Sequence, residues 1–318
     1  MSILLLTEDD VRRVLTMDVA LDAVEAGLRK LALDDAENVP RSRCRTDHVM
    51  LHMMSAAAKG VGYVGYKAYT TSKRGARFHV GLFDGRTGEL VALIEADYLG
   101  QVRTAAASGV ATKHLANPQA AALGLYGTGK QARTQLQAVC AVQPIKRVAV
   151  YSRSDENRRR FADEMSKTCG VEIVPVDRPE RAARGQEIII TATNSTEPVL
   201  RGEWIEPGMH LNVVGSNFLS KAEIDVETVR RADRIVVDSK EQCKLEAGDL
   251  APAVEAGVVH WSDMVELGAV LVGKAPGRGE PADVTLFKSV GLAIEDVVTA
   301  ARVVAAAKEQ GVGQTIDW

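Results

Sequence analysis

The chain has 318 residues, enough for two domains with well-filled cores. Hydrophobic residues make up 46% and charged residues 25%, the proportions of an ordinary water-soluble globular protein. The formal net charge of −3 excludes a strong electrostatic attraction to nucleic acid or an anionic membrane, and no apolar run reaches the roughly 20 residues of a bilayer span.

Residues 1–10 lack the basic start and long apolar stretch of a secretion signal, so a cytoplasmic location is expected. Cys44, Cys140, Cys169 and Cys243 are scattered, with no paired spacing and no histidine at zinc-ligand distance. They predict free thiols and no metal site.

In chain order, residues 3–6 read as a short strand, and Thr7 with Asp10 as the cap of a helix. A second helix fits residues 18–33, with Leu21, Val24, Leu28 and Leu31 on one face. Pro40 opens an irregular or extended piece. Residues 62–71 and 77–83 read as strands, Asp84-Gly85-Arg86-Thr87-Gly88 as a turn, and residues 90–95 as the returning strand. A helix of small residues is expected to begin at Arg103. From about residue 117 to 288, strand and helix alternate. The strands Arg147-Val148-Ala149-Val150-Tyr151, Glu187-Ile188-Ile189-Ile190-Thr191, His210-Leu211-Asn212-Val213-Val214 and Ile235-Val236-Val237-Asp238 are mostly continuous apolar runs, as in a parallel sheet buried on both faces. Residues 291–309 form a last helix, stopped by Gly311.

The apolar run 121–126 ends in Gly127-Thr128-Gly129-Lys130-Gln131-Ala132, the dinucleotide fingerprint in the setting of strand, tight turn and helix. Gly127 permits the turn, Gly129 lets the backbone approach a pyrophosphate, and Ala132 lets helix pack on strand. Gly124 to Gln131 also lies one residue from a phosphate-binding P-loop, but Gln131 replaces the hydroxyl that would ligate magnesium. At the end of the next strand, Ser152-Arg153-Ser154 offers no acid for ribose hydroxyls. This predicts NADP(H) as the preferred cofactor, with NAD(H) the second choice.

Alternation along residues 63–69 puts Lys67 on one face with Tyr63, Gly65 and Tyr69. An inward Lys67 with a burial-lowered pKa is a candidate proton donor or acceptor; an outward one is an edge-strand gatekeeper. Arg103, placed at a helix start, opposes the helix dipole unless it collects an anion such as a substrate carboxylate; otherwise it is a solvated arginine. Arg41 and Arg43 face one side of an extended chain and either could clamp a carboxylate, or both could be solvent-facing.

Lys67, the run Arg103-Thr104-Ala105-Ala106-Ala107-Ser108, the glycine fingerprint and Thr285-Leu286-Phe287-Lys288-Ser289-Val290-Gly291 occur in one order. Together they resemble the ornithine cyclodeaminase/mu-crystallin family over nearly the whole chain. The resemblance implies an α/β protein with a Rossmann domain (117–290) inserted into a smaller substrate-binding and dimerisation domain (1–116 plus 291–318) completed by the C-terminal helix, and a homodimer. It implies substrate contacts from Arg41, Arg43, Lys67 and Arg103. Thr104, Thr193, Asn194, Ser195, Val214, Ser289 and Gly291 would join Gly127, Thr128, Gly129, Gln131, Ala132, Ser152, Arg153 and Ser154 at the cofactor. Where cyclodeaminases carry an Asp, this chain has Asn217, a neutral amide that can orient a substrate but not act as a base. The expectation is therefore a reductase of α-imino acids, or in reverse an L-amino acid dehydrogenase. The alternatives are a cyclodeaminase that recycles NAD+ internally, or a protein that binds NADPH and a small acid without turnover.

Overall fold

The computed structural model describes residues 2–317. The chain runs β1 (Ser2–Leu6), α1 (Glu8–Val14), α2 (Met17–Ala32), β2 (Ala36–Arg45), β3 (Val49–Ala58), β4 (Tyr63–Ser72), β5 (Gly75–Asp84), β6 (Leu90–Glu95), α3 (Asp97–Leu115), β7 (Ala122–Tyr126), α4 (Lys130–Val142), β8 (Arg147–Tyr151), α5 (Asp155–Cys169), β9 (Glu172–Pro175), β10 (Ile188–Thr191), β11 (His210–Val213), α6 (Val226–Arg230), β12 (Arg234–Val237), α7 (Lys240–Glu246), α8 (Ala251–Glu255), β13 (Val265–Glu266), α9 (Leu267–Leu271), β14 (Thr285–Lys288), α10 (Ala293–Gln310) and β15 (Gln314–Asp317). It divides into two compact units, Met1–Ala106 with Leu292–Trp318, and Ala107–Gly291. The division falls inside α3, earlier than the boundary drawn at residue 117.

In the first unit, seven strands are ordered β15-β1-β6-β5-β4-β3-β2. All neighbours are antiparallel except β1 and β6. Helices α2 and α10 pack on each other, and α10 also lies across β2 to β5. The amphipathic face of α2 buries Ala20, Ala23, Val24 and Leu28. Thr7 caps α1 in a reciprocal box with Asp10, as its spacing predicts. The extended piece at Pro40 lies within β2. Its register on β3 shifts between Val39 and Ser42, a bulge that moves the inward face from Asn38 to Arg41 and Arg43.

One expectation is corrected. Arg103 does not start a helix; α3 begins at Asp97. The Tyr98 amide donates to a Glu8 carboxylate oxygen (3.0 Å), a cap supplied from 90 residues away that no local pattern reveals. The dipole argument for an anion at Arg103 therefore fails, and its charge is balanced from another element.

In the second unit, eight strands are ordered β13-β12-β14-β11-β10-β7-β8-β9, all parallel. From β7 the chain steps outward to β8 and β9, then returns to add β10 on the other side of β7. That reversal leaves a crevice outside the carboxyl ends of β7 and β10, where doubly wound sheets bind ligands. No helix among the described residues is long and apolar enough to cross a membrane.

Candidate active site

The crevice of the second unit begins where β7 ends. Gly127 has φ +109°, and a Cβ there would lie 2.4 Å from the Ala192 carbonyl oxygen, so only glycine makes this turn. Gly129 is different: its φ is ordinary and a Cβ would meet no protein atom within 4 Å. It is the N-cap of α4 and supplies no side chain to the helix amides. A glycine that the protein's own packing does not require, at an uncapped helix start, fits a site built for an anion. The cavity beside it has a volume of about 610 Å³.

Thr128, Gly129 and Gln131 line this cavity on one side, and Thr193, Asn194 and Ser195 on another. Ser152, Arg153 and Ser154 close its end. Ala132 is buried in the helix–sheet packing beneath, and the Val214 amide continues the sheet by donating to Thr191 O (3.0 Å).

The residues at the end of β8 are already engaged. Ser154 Oγ accepts from the Asn157 amide (3.2 Å) as the cap of α5. Ser152 Oγ donates to the Ser154 carbonyl (3.3 Å). Buried Arg158 donates to the Ser152 carbonyl and, through Nη2, to Asp155 Oδ1 (3.0 Å). Two of the three side chains read as ligands of a 2′-phosphate thus shape the turn and cap the helix.

Ser289 and Gly291 are fixed by a residue the sequence reading missed. Buried Asp238, at the end of β12, accepts from Ser289 Oγ (2.9 Å), Val290 N (2.7 Å) and Gly291 N (2.8 Å) through one oxygen. Asn217 lies in the loop after β11, where Ser216 Oγ donates to the Phe218 carbonyl (3.3 Å).

The first unit holds a second concentration of charge. Lys67, on β4, is only 4% exposed, which settles its direction inward. Its Nζ lies 2.9 Å from Asp296 Oδ1, and the same oxygen is 2.9 Å from Arg103 Nε. Arg103 Nη1 reaches Glu295 Oε2 (2.6 Å). Both carboxylates are fully buried in the first turn of α10, where the helix dipole favours negative charge. Burial pulls Lys67 down to about 8; Arg103 and, more weakly, Arg41 act in the same sense, and Asp296 opposes them. Burial also works against the charge of Arg103, but Asp296 and Glu295 outweigh it and hold its pKa up.

Arg41 is buried and Arg43 half-buried on the same face of β2. Arg43 Nε donates to His52 Nδ1 (3.2 Å). His52 stacks on Tyr69 with ring centres 4.1 Å apart, and Tyr69 on Phe78 at 5.0 Å. Burial, with Arg43 and Arg41, pushes His52 down to about 4, so it is a neutral ring at physiological pH. Thr104 lies one turn beyond Gly100, its hydroxyl donating to the Gly100 carbonyl (2.7 Å). The structure therefore groups Lys67, Arg103 and Arg41 in one unit and the glycine-turn and serine residues in the other.

The chain resembles several proteins of known activity. It is 37% identical over 274 residues to a Δ(1)-pyrroline-2-carboxylate reductase of Bacillus cereus strain ZK / E33L, covering 84% of each chain. The Thermococcus litoralis Δ(1)-pyrroline-2-carboxylate reductase, solved with NADH and L-proline, superposes with a TM-score of 0.94 at 35% identity, covering 99% of this chain and 100% of that one. An archaeal alanine dehydrogenase dimer with bound NAD also gives 0.94, at 32% identity and full coverage of both chains. The cofactors in these relatives overturn the expected NADP(H) preference in favour of NAD(H), and the engaged Ser152 and Ser154 give a physical reason. The model of the ornithine cyclodeaminase/mu-crystallin family matches residues 1–311. The chain belongs to this family, which includes NAD(P)-dependent oxidoreductases of amino and imino acids.

Proposed function

We propose that this protein reduces an α-imino acid to an L-amino acid with NADH, and catalyses the reverse oxidation, with Δ1-pyrroline-2-carboxylate the first substrate to try. The observation that carries the reading is the charge balance around Lys67. Lys67 and Arg103 pair with Asp296 and Glu295, and Arg41 acts on Lys67 from nearby, so the cluster holds three cationic side chains and two carboxylates, a balance that favours an anionic substrate. Arg41 and Arg103 bind the substrate carboxylate, Arg103 through Nη2, the nitrogen that neither Glu295 nor Asp296 holds. Lys67, with a pKa of about 8, keeps its proton at neutral pH yet can release it, which suits a group protonating the imine nitrogen. The neutral His52–Tyr69–Phe78 stack adds a wall without charge. Asn217 orients the amine by hydrogen bonding.

The crevice fits NAD(H). Thr128, Gly129 and the start of α4 would hold the pyrophosphate, and Thr193, Asn194 and Ser195 the opposite side; the cofactor supplies or accepts the hydride. We assign residues 117–290 as the cofactor module and 1–116 with 291–318 as the substrate and dimerisation module. Pairing of two copies is supported by the archaeal dimer and by apolar side chains exposed on the sheet of the first unit, Val39 (55%), Val64 (46%) and Met53 (37%). Four free cysteines suit a reducing cytoplasm.

The test follows NADH consumption with Δ1-pyrroline-2-carboxylate, pyruvate plus ammonia or methylamine, and L-ornithine, with ammonia measured in parallel. Consumption with an imine is expected. Ammonia released from ornithine with no net change in NADH would instead make the protein a cyclodeaminase.

A further inference from the structure

Three fully buried charged side chains join the carboxyl ends of β10, β11 and β14, and the reaction as proposed uses none of them. Glu223 accepts from Thr193 N (2.5 Å) through one carboxylate oxygen, and from Thr191 Oγ1 (2.8 Å) and Gly215 N (2.7 Å) through the other. The Glu223 amide donates to Asp249 Oδ1 (2.5 Å). Asp249 Oδ2 pairs with Lys288 Nζ (2.7 Å), and that ammonium also donates to the Ser216 carbonyl (2.7 Å). A Cβ on Gly215 would lie 2.3 Å from the Glu223 carboxylate, so the glycine makes room for the acid.

Burial and then Asp249 raise the pKa of Glu223, against the Thr193 hydrogen bonds and Lys288, and an apolar plug would join the strands at lower cost. What a carboxylate adds is direction: two oxygens, each taking N–H or O–H donors at set angles. The donors are Thr191, the last residue of β10, and the backbone of Thr193 and Gly215 in the loops just beyond β10 and β11. By holding Thr193 N, Glu223 turns the chain at the end of β10, and the next residues line the cavity instead of extending the strand. A Ser195 N bond to Thr193 Oγ1 (3.1 Å) continues that turn. Asp249 and Lys288 fix the backbone of Glu223 and the start of the loop that carries Asn217.

We propose that Glu223 is the positioning residue of the dinucleotide crevice, setting the Thr193-Asn194-Ser195 wall by tying the ends of β10 and β11 together. The inference rests on the reading of that crevice as the NAD(H) site. Glu223 touches no substrate and acts only through the backbone it holds.

The experiment titrates NADH by fluorescence against the full-length protein and Glu223→Gln, with kcat and KM for NADH measured alongside. The amide nitrogen of Gln sets a donor against the N–H groups that the carboxylate accepted. NADH binding is expected to weaken about tenfold or more, while kcat at saturating NADH stays within about threefold. If Glu223→Gln does not fold, Thr191→Val removes one of the three donors and Thr191→Ser restores it. Thr191→Val is expected to raise the Kd for NADH several-fold and Thr191→Ser to return it to the native value. A folded Glu223→Gln or Thr191→Val protein with native NADH affinity overturns the proposal, whatever its melting temperature. If the unmodified protein fails to bind NADH, the reading of the crevice itself falls, and the proposal with it.

Discussion

Replacing Asp296 by Asn removes the carboxylate 2.9 Å from both Lys67 Nζ and Arg103 Nε while keeping the side chain's shape. An opposite charge at that distance is worth about 1–3 pKa units. Asp296 is what opposes burial, Arg103 and Arg41 at Lys67, so its loss moves the lysine from about 8 to roughly 6.5. With Lys67 as the proton donor proposed above, the reductive rate falls as pH rises through that pKa. At about pH 7.5 the protonated fraction drops from about three-quarters to about one-tenth, an eightfold loss, roughly, from protonation alone. Breaking a buried ion pair also costs about 3–5 kcal/mol of stability, so a thermal melt must first show a folded variant. The assay is the pH profile of kcat/KM for imine reduction with saturating NADH. The descending limb should move to lower pH by more than one unit. In the oxidative direction the ascending limb should shift the same way. A folded Asp296→Asn enzyme whose limb stays in place would refute the coupling of Lys67 to Asp296.

Lys67→Met should lower kcat/KM by about 100-fold or more, and a loss within about threefold would remove Lys67 from the proton transfer. Gly129→Val should lose only the small stability difference between Gly and Val at a helix N-cap, because a Cβ there meets no protein atom within 4 Å, yet weaken NADH binding about tenfold or more; unchanged affinity would mean that the pyrophosphate lies elsewhere. Gly127→Ala should instead lose stability, because φ +109° and the Ala192 carbonyl both oppose a Cβ, by roughly 1–3 kcal/mol in a denaturant titration. NADH should bind more tightly than NADPH at equal salt, and the opposite order would give Arg153 the 2′-phosphate after all.

Periodicity exposed the parts of the fold whose environment is uniform. Ile188–Thr191 is buried at every residue, so its sequence reads as a continuous apolar run, whereas His210–Val213 is equally buried but alternates polar and apolar residues. β9 did not stand out, because it is an edge strand with only Ile173 buried. β3 was missed for a different reason: Met53-Met54-Ser55-Ala56-Ala57-Ala58 has little strand preference of its own, and pairing with β2 and β4 on either side holds it extended. The inward direction of Lys67 was readable as one of two choices from alternation, but not its partner Asp296, which lies 229 positions further on. The NADP(H) preference drawn from the serines after β8 failed because a hydroxyl beside a phosphate site and a hydroxyl capping a helix look alike in sequence. Glu223, Asp249 and Asp238 carry no motif; each matters through backbone amides brought to it by sheet topology.

The distance along the chain between Lys67 and its counter-ion has a consequence for biosynthesis. The strand bearing the lysine is made early, whereas α10 arrives only after the whole parallel-sheet unit has been made. Until then three cationic side chains destined for a dry interior lack their two carboxylates, so the first unit cannot close around them without the desolvation penalty of unpaired charge. The nascent first unit should therefore stay open while the second folds, the reverse of the N-terminal-first order of most two-domain chains. A prematurely terminated product would lack not merely a helix but the electrostatic condition for burying Lys67.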